Sequence, residues 1–174
     1  MKKAALALAL CTMLTLVCAC TQTQNDRAKL MDTPDVTEAA TTAVTFSANG
    51  KNYSVELPDS WDAQPVTLDD GEWGLVLTPK TQPQLSYSLL LYRQMQGFGV
   101  CGTGLEEKQT VINGMEANIG YYGGADYWSF ISFDCGGVSG SLTWGIDGEG
   151  DARQLGIADH NDAAMSILAS LTEL

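Results

Sequence analysis

The chain of 174 residues has few basic residues, one histidine and no long apolar run. Nine Lys and Arg residues stand against 21 Asp and Glu residues, which gives a net charge of −12. Phosphate backbones repel so acidic a surface, and we exclude nucleic acid as a partner. The single histidine, His160, is too little for a histidine-rich metal site, so we expect neither metal nor cofactor.

The longest apolar run lies at the N-terminus, between Ala4 and Val17, and follows Met1-Lys2-Lys3. It is too short to span a bilayer comfortably, because spanning takes about 20 apolar residues. A basic start, an apolar run of this length and a small residue at its end are typical of a secretory signal. We therefore predict that residues 1–19 are a signal peptide.

The tetrapeptide Val17-Cys18-Ala19-Cys20 closes this run and resembles the bacterial lipobox. The resemblance implies that Cys20 receives a diacylglycerol thioether and becomes the mature N-terminus of a lipoprotein. Two or three acyl chains of the palmitate type then anchor it, outside the cytoplasm, to the cell membrane or outer membrane. The alternatives are an ordinary signal peptide with a free Cys20, or a short buried helix, which the polar sequence after it disfavours.

The mature chain is more acidic than the precursor. Removing Lys2 and Lys3 leaves seven basic residues against 21 acidic ones, a formal charge of −14. Residues 20–43 are rich in Thr, Ala, Gln and Asp and lack aromatics, which predicts a flexible tether spanning roughly 25–30 Å. Residues 44–174 are long enough for one domain with a single core.

Two cysteines remain in the predicted domain, Cys101 and Cys135. An even number of cysteines in an exported protein predicts a disulfide between them. A bridge that closes a loop of about 35 residues would stabilise the domain by roughly 3–4 kcal/mol. Two free thiols are the alternative, whereas a zinc site would need ligands that the distant His160 cannot complete.

Strand patterns dominate the predicted domain. Asn49-Gly50 and Asn113-Gly114 each separate two alternating runs, which is typical of a two-residue hairpin. Glycine turns then connect further strands into a meander, and a stripe from Ala164 to Leu171 predicts a C-terminal helix that Asp159 or Asn161 caps. We predict the α+β class, with one antiparallel sheet of two hairpins and a meander that the helix packs against.

Three short motifs follow one another along residues 44–174. They are Leu57-Pro58-Asp59-Ser60-Trp61, Thr110–Ala117 (TVINGMEA) and Ile167–Leu171 (ILASL). Together they resemble the opening, the central hairpin and the closing segment of PsbP-like and Mog-like domains. The resemblance implies an antiparallel sheet packed by helices and a non-enzymatic accessory or binding role. The glycine-rich stretch around Cys101 departs from the family, whose members usually have a helix there.

No catalytic motif is complete. Gly137-Val138-Ser139-Gly140-Ser141 lacks the second glycine of a nucleophile elbow. The acidic stretch Asp147–Asp151 lacks the glycine and the distal glutamate of a calcium loop, and is read as a surface turn. We expect no enzymatic activity, with a hydrolase that uses paired carboxylates as the remaining enzymatic alternative.

Aromatic residues are concentrated on three neighbouring predicted strands. A binding surface is one interpretation, and cover by the tether or loops, or simple cross-strand pairing, is the other. We predict a membrane-anchored, non-catalytic binding or accessory domain whose partner is an envelope protein or glycan. A small-molecule carrier with its ligand between sheet and helix is the alternative. The candidate binding residues are Tyr121, Tyr122, Tyr127, Trp128 and Trp144.

Overall fold

The computed structural model describes residues 40–68, 71–92 and 103–174, which belong to one unit, Thr37–Leu174. The predicted signal peptide, Cys20, Cys101 and most of the predicted tether lie outside these residues. The elements are β1 Thr41–Ala48, β2 Lys51–Pro58, β3 Trp61–Leu68, β4 Gly71–Pro79, β5 Leu85–Tyr92, β6 Leu105–Ile112, β7 Met115–Tyr122, β8 Phe130–Cys135, β9 Val138–Ile146, α1 Ile157–Ala169 and β10 Thr172–Glu173. The α+β class is confirmed, although most of the described chain is strand.

The strands form two antiparallel sheets where the sequence predicted one. The small sheet has the order β1-β2-β10, and the large sheet has the order β3-β4-β5-β9-β8-β7-β6. The second edge of β2 is occupied by β10, which pairs Thr172 with Ser54. With that edge taken, β3 pairs with β4 instead and begins the large sheet. The prediction of a single sheet was therefore wrong.

Both Asn-Gly hairpins are confirmed. Asn49 and Gly50 connect β1 to β2, and Asn113 and Gly114 connect β6 to β7. All four residues have positive φ, at 54° and 77° in the first turn and 46° and 81° in the second. Such two-residue turns match the twist of the strands, and asparagine and glycine adopt this backbone most readily.

The helix α1 begins earlier than the sequence predicted. Gly156 precedes it in the left-handed conformation, with φ 65°, and no side chain caps the first turn. Asp159 lies within the first turn, and Asn161 is buried inside the helix. The prediction that Asp159 or Asn161 caps the helix was wrong, because the buried Asn161 side chain is bonded to Tyr87 of β5 and to the Trp128 carbonyl just before β8. No helix among the described residues is both long and apolar enough to cross a membrane.

Side chains alternate between the two faces of the large sheet. We call the face that meets α1 and the small sheet the inner face, and the opposite one the outer face. Leu89 of β5, Ile131 of β8 and Leu142 of β9 lie on the inner face and are fully buried. The apolar side chains of α1 and of the small sheet complete this core, among them Val55, Phe46, Tyr53, Ile167 and Leu168.

The small sheet is hydrogen-bonded both to the large sheet and to the end of α1. Asn49 Nδ2 donates to the carbonyl oxygen of Leu91 at the end of β5, over 2.9 Å. The backbone N–H of Glu56 donates to Ser170 Oγ, just after α1, over 2.8 Å. The small sheet and the helix thereby cover the inner face, and the outer face carries the features described next.

Candidate binding groove on the outer sheet face

A polar ladder crosses the outer face. The registers of the large sheet place Gln109 of β6 opposite Asn118 of β7, and Asn118 opposite Ser132 of β8. Ser132 in turn faces Ser141 of β9. Residues that lie opposite one another in antiparallel strands point to the same face, so four polar side chains stand in one row. Neighbouring strands are about 4.8 Å apart, and the row spans roughly 15 Å.

A groove runs along this row and has a volume of about 560 Å³. We call it the outer groove. A volume of this size falls in the usual range of ligand sites, about 300–1,000 Å³. The polar lining of the groove comes from Gln109, Thr110, Glu116, Asn118, Ser132, Asp134 and Ser139.

Two carboxylates stand at one side of the outer groove. Continuing the β7–β8 register by one residue places Glu116 opposite Asp134, and both are exposed. Asp134 Oδ1 accepts a hydrogen bond from Ser139 Oγ over 3.0 Å. No lysine or arginine belongs to the lining that the structure describes. The groove is therefore negative and offers nothing to neutralise an anionic ligand.

An aromatic pair stands on the neighbouring strand, at the end of the row that Asp134 and Ser139 form beside the ladder. Tyr92 of β5 is paired with Ser139 of β9. Its ring stands edge-on to Trp73, with ring centroids 5.8 Å apart, and its hydroxyl is 3.1 Å from Ser141 Oγ. Both aromatic side chains are half-buried. They offer apolar ring surface beside a polar groove.

Phe130 closes the outer face on the other side of the ladder. It lies opposite Gly120, and a Cβ on that glycine would overlap the Phe130 ring. The glycine therefore makes room for the ring, which is only 4% exposed although it points away from the main core. The same arrangement recurs on the inner face, where Gly140 accommodates the ring of Phe133.

The five aromatic residues that the sequence singled out do not share one surface. Trp128 is 3% exposed and takes no part in any surface. Trp144 is half-buried on the inner face, where its ring is 5.9 Å from that of Tyr127. Tyr121 lies on the inner face under the ammonium of Lys108, 4.7 Å from the ring centroid, and Tyr122 lies on the outer face.

Two of these residues, Trp128 and Trp144, take part in a buried polar network instead. The carbonyl oxygen of Trp128 accepts hydrogen bonds from Trp144 Nε1, over 2.7 Å, and from Asn161 Nδ2, over 2.9 Å. Asn161 Oδ1 accepts from the Tyr87 hydroxyl over 2.9 Å. Burial raises the pKa of Tyr87 well above its ordinary value. The network joins α1 to the inner face because buried polar groups need such partners.

Cys135 carries a free thiol in the structure, so the predicted bridge to Cys101 is not formed there. Cys101 lies outside the described residues, and the pairing stays a prediction. Burial raises the pKa of the Cys135 thiol, and the nearby Glu173 carboxylate raises it further. Glu173 itself is held by Lys51 in an exposed ion pair of 2.8 Å.

The interface between sheet and helix is closely packed. Tyr87 and Leu89 of β5 and Leu168 of α1 have no accessible surface, so they border no space that admits a water molecule. A second cavity, of about 450 Å³, lies instead between β1 and β3, next to the C-terminal Leu174. Neither described cavity corresponds to the predicted carrier site.

His160 and the acidic loop form no site with other described residues. His160 lies in the first turn of α1, where its ring stands edge-on to Trp61 at 6.0 Å. Residues 147–151 are exposed, in agreement with a surface turn. Across the described ranges, no group of three or more metal-binding side chains comes together.

The sequence did not point to the groove residues as a binding site. Gln109, Asn118 and Ser132 are common polar residues on three different strands, and none belongs to a motif. The alternation along each strand was visible as a signal for an outward face. Only the register between strands shows that these side chains stand in one row.

Comparisons with known proteins give little further guidance. No protein-family model matches the chain, and no curated protein matches it. Among solved structures, the chain is similar to the cyanobacterial PsbP (CyanoP) of Synechocystis sp. PCC 6803, with a TM-score of 0.42 and 10% identity. The similarity covers 79% of this chain and 96% of that chain. It is too weak to assign a fold family or a function, and the PsbP-like resemblance stays a prediction.

Proposed function

We propose that the chain is an extracytoplasmic lipoprotein, anchored through Cys20, whose folded domain binds an envelope component without catalysing a reaction. The observation that carries the binding role is the outer groove, a concave polar site on the face of the large sheet opposite the core. Its strands are supported from behind by a closely packed core, so the lining side chains have a rigid base.

The anchor is supported by the lipobox resemblance and by charge. A mature protein with a formal charge of −14 is repelled by anionic headgroups, so the lipid must hold it at the membrane. Replacing Cys20 with Ser should therefore release a folded protein. Cys11→Ser, also within the signal segment, is the matched control and should stay in the membrane fraction. Membrane attachment of the Cys20→Ser variant would overturn the proposed anchor.

The binding role is tested with the released Cys20→Ser protein and purified insoluble cell-wall material from the producing bacterium. We expect co-sedimentation, and we expect Ser132→Trp to abolish it because the indole fills the groove. Gln64→Trp is the control, since Gln64 lies on the outer face of edge strand β3, away from the groove. Both variants should melt within a few degrees of the parent protein. Equal co-sedimentation of Ser132→Trp and Gln64→Trp would refute the groove as the binding site.

Glycoside hydrolysis is the second candidate, and one observation favours it. Glu116 and Asp134 stand opposite each other on neighbouring strands, where Cβ atoms are about 5 Å apart. Retaining glycosidases place two carboxyl groups about 5–5.5 Å apart. Both side chains are exposed here, however, whereas a catalytic acid is typically shielded from water so that it stays protonated. New reducing ends from wall glycan, lost in Glu116→Gln, would establish the hydrolase.

A further inference from the structure

We propose that the ligand of the outer groove is an uncharged oligosaccharide that lies across the strands and stacks one sugar ring on Tyr92. This inference rests on the proposed function, because it names the ligand class of the same groove. It is drawn from three properties of the groove: its unpaired hydrogen-bonding groups, its charge and the aromatic pair beside it.

The ladder offers hydrogen-bonding capacity that the protein does not use. Gln109, Asn118 and Ser132 form no side-chain hydrogen bond with any residue of the described chain. Each amide has two N–H donors and one carbonyl acceptor, and the hydroxyl both donates and accepts. A sugar ring carries hydroxyls that also donate and accept, at neighbouring positions along the ring. A row of amides and a hydroxyl is therefore complementary to an oligosaccharide.

The charge of the groove selects among glycans. Glu116 and Asp134 repel phosphate and uronate groups, and the described lining holds no basic side chain to offset this. The whole mature chain, at −14, adds to that repulsion. Phosphorylated and uronate-rich polymers are thus disfavoured, and an uncharged glycan meets no such penalty.

The aromatic pair supplies the apolar contact that a sugar ring needs. The C–H groups on one face of a pyranose pack against an aromatic ring, whose face carries partial negative charge. Tyr92 is held in place by its contacts with Ser141 Oγ and Trp73, so little conformational freedom is lost on binding. It stands one strand beyond Ser139, roughly 5 Å away, in the row beside the ladder, and its hydroxyl reaches Ser141 at the end of the ladder. The ladder and the ring are therefore spaced for one extended oligosaccharide.

The test uses the released Cys20→Ser protein and four tetrasaccharides as probes. N-acetylchitotetraose, cellotetraose and maltotetraose are uncharged, and tetragalacturonate is anionic. We expect at least one uncharged probe to bind, with its ring protons shifted upfield in NMR spectra by the Tyr92 ring current. Tyr92→Ala should weaken that binding about tenfold and remove the shift. Tyr92→Phe should keep both, because the ring remains.

The control variant is Tyr122→Ala, which removes a half-buried tyrosine from the same face but outside the groove lining and should leave affinity unchanged. Binding of tetragalacturonate in preference to every uncharged probe would overturn the inference. A second result would also overturn it: Ser132→Trp loses wall binding, but no uncharged probe competes with the wall for the parent protein. That result would keep the groove as the binding site and reject the uncharged glycan as its ligand. Failure of the wall-binding test itself would instead reject the proposed function.

Discussion

The two faces of the large sheet are built from the same strands and differ in almost every other respect. Along β8 and β9, Ile131 and Leu142 point inward and have no accessible surface, whereas Ser132 and Thr143 beside them point outward and are half-buried. The inner face meets a helix and a second sheet. The outer face carries short polar side chains and a groove. Alternation along a strand is enough to separate a stabilising surface from a candidate binding surface.

Residue size matters as much as polarity in this comparison. Short side chains such as Ser132 and Ser139 line the outer groove, whereas one aromatic ring on each face is accommodated by a glycine of the neighbouring strand. Phe130 stands over Gly120 on the outer face, and Phe133 stands over Gly140 on the inner face. The glycines let bulky rings pack against the backbone of a neighbouring strand.

The largest effect is expected from a cavity on the inner face. Leu142→Ala removes a fully buried side chain and should lower the free energy of unfolding by about 2–5 kcal/mol. Thr143→Ala, the next residue on the outer face, should change it by less than about 1 kcal/mol. Urea unfolding of both variants measures the difference. Equal losses would show that the outer face is as well packed as the inner one.

A smaller loss of stability is expected at Gly120, the outer-face glycine against which the Phe130 ring packs. Gly120→Ala should destabilise the domain by about 1–3 kcal/mol, because the new methyl overlaps the Phe130 ring. Gly145→Ala is the matched control, since its methyl would only touch Ser86 Oγ at 3.9 Å. The double variant Gly120→Ala/Phe130→Leu should recover part of the loss. If Gly145→Ala melted at a lower temperature than Gly120→Ala, the role assigned to Gly120 would be contradicted.

A comparable loss of stability, caused by a lost hydrogen bond, is expected where α1 meets the inner face. Asn161→Ala leaves the buried Tyr87 hydroxyl without its acceptor and should cost about 1–3 kcal/mol. The exposed neighbour Asp162 gives the control variant Asp162→Ala, which should stay within about 0.5 kcal/mol of the parent. Chemical denaturation separates the two. No loss in Asn161→Ala would mean that the network does not hold the helix to the sheet.

The smallest effect on stability is expected from Tyr87. It is small at moderate pH and grows at alkaline pH. The pKa of Tyr87 is raised in the folded state from an ordinary value of 10.0, because burial penalises the phenolate. Above pH 10 the unfolded chain releases this proton and the folded chain retains it, so stability falls as pH rises, by up to about 1.4 kcal/mol per pH unit. Tyr87→Phe should show a shallower fall in melting temperature between pH 10 and 12. An unchanged slope would assign the alkaline loss to other groups.

Local features of the fold were accessible from the sequence, and long-range ones were not. The Asn49-Gly50 hairpin was predicted because turn chemistry and alternation act within about ten residues. The strand β3 was missed because Pro65 interrupts its pattern, which an edge strand tolerates. The start of α1 was missed because the left-handed Gly156 precedes it in place of a capping side chain.

The candidate site was less predictable than the fold. Aromatic residues drew attention in the sequence, yet Trp128 and Trp144 serve the buried network. Gln109, Asn118 and Ser132 carry the groove and have no unusual sequence context. Their juxtaposition depends on three strand registers at once, and a shift of one residue in any of them would move a side chain to the other face.

By itself, the sequence determined the acidic charge of the chain, the two Asn-Gly turns and the antiparallel, mostly β character of the domain. These properties depend on composition or on neighbours close in the chain. The tertiary structure alone decided that β2 pairs with β10, that the strands divide into two sheets and that the polar side chains of β6, β7 and β8 line one groove. Such pairings are chosen by competition for strand edges and for burial across the whole core, which no local pattern encodes.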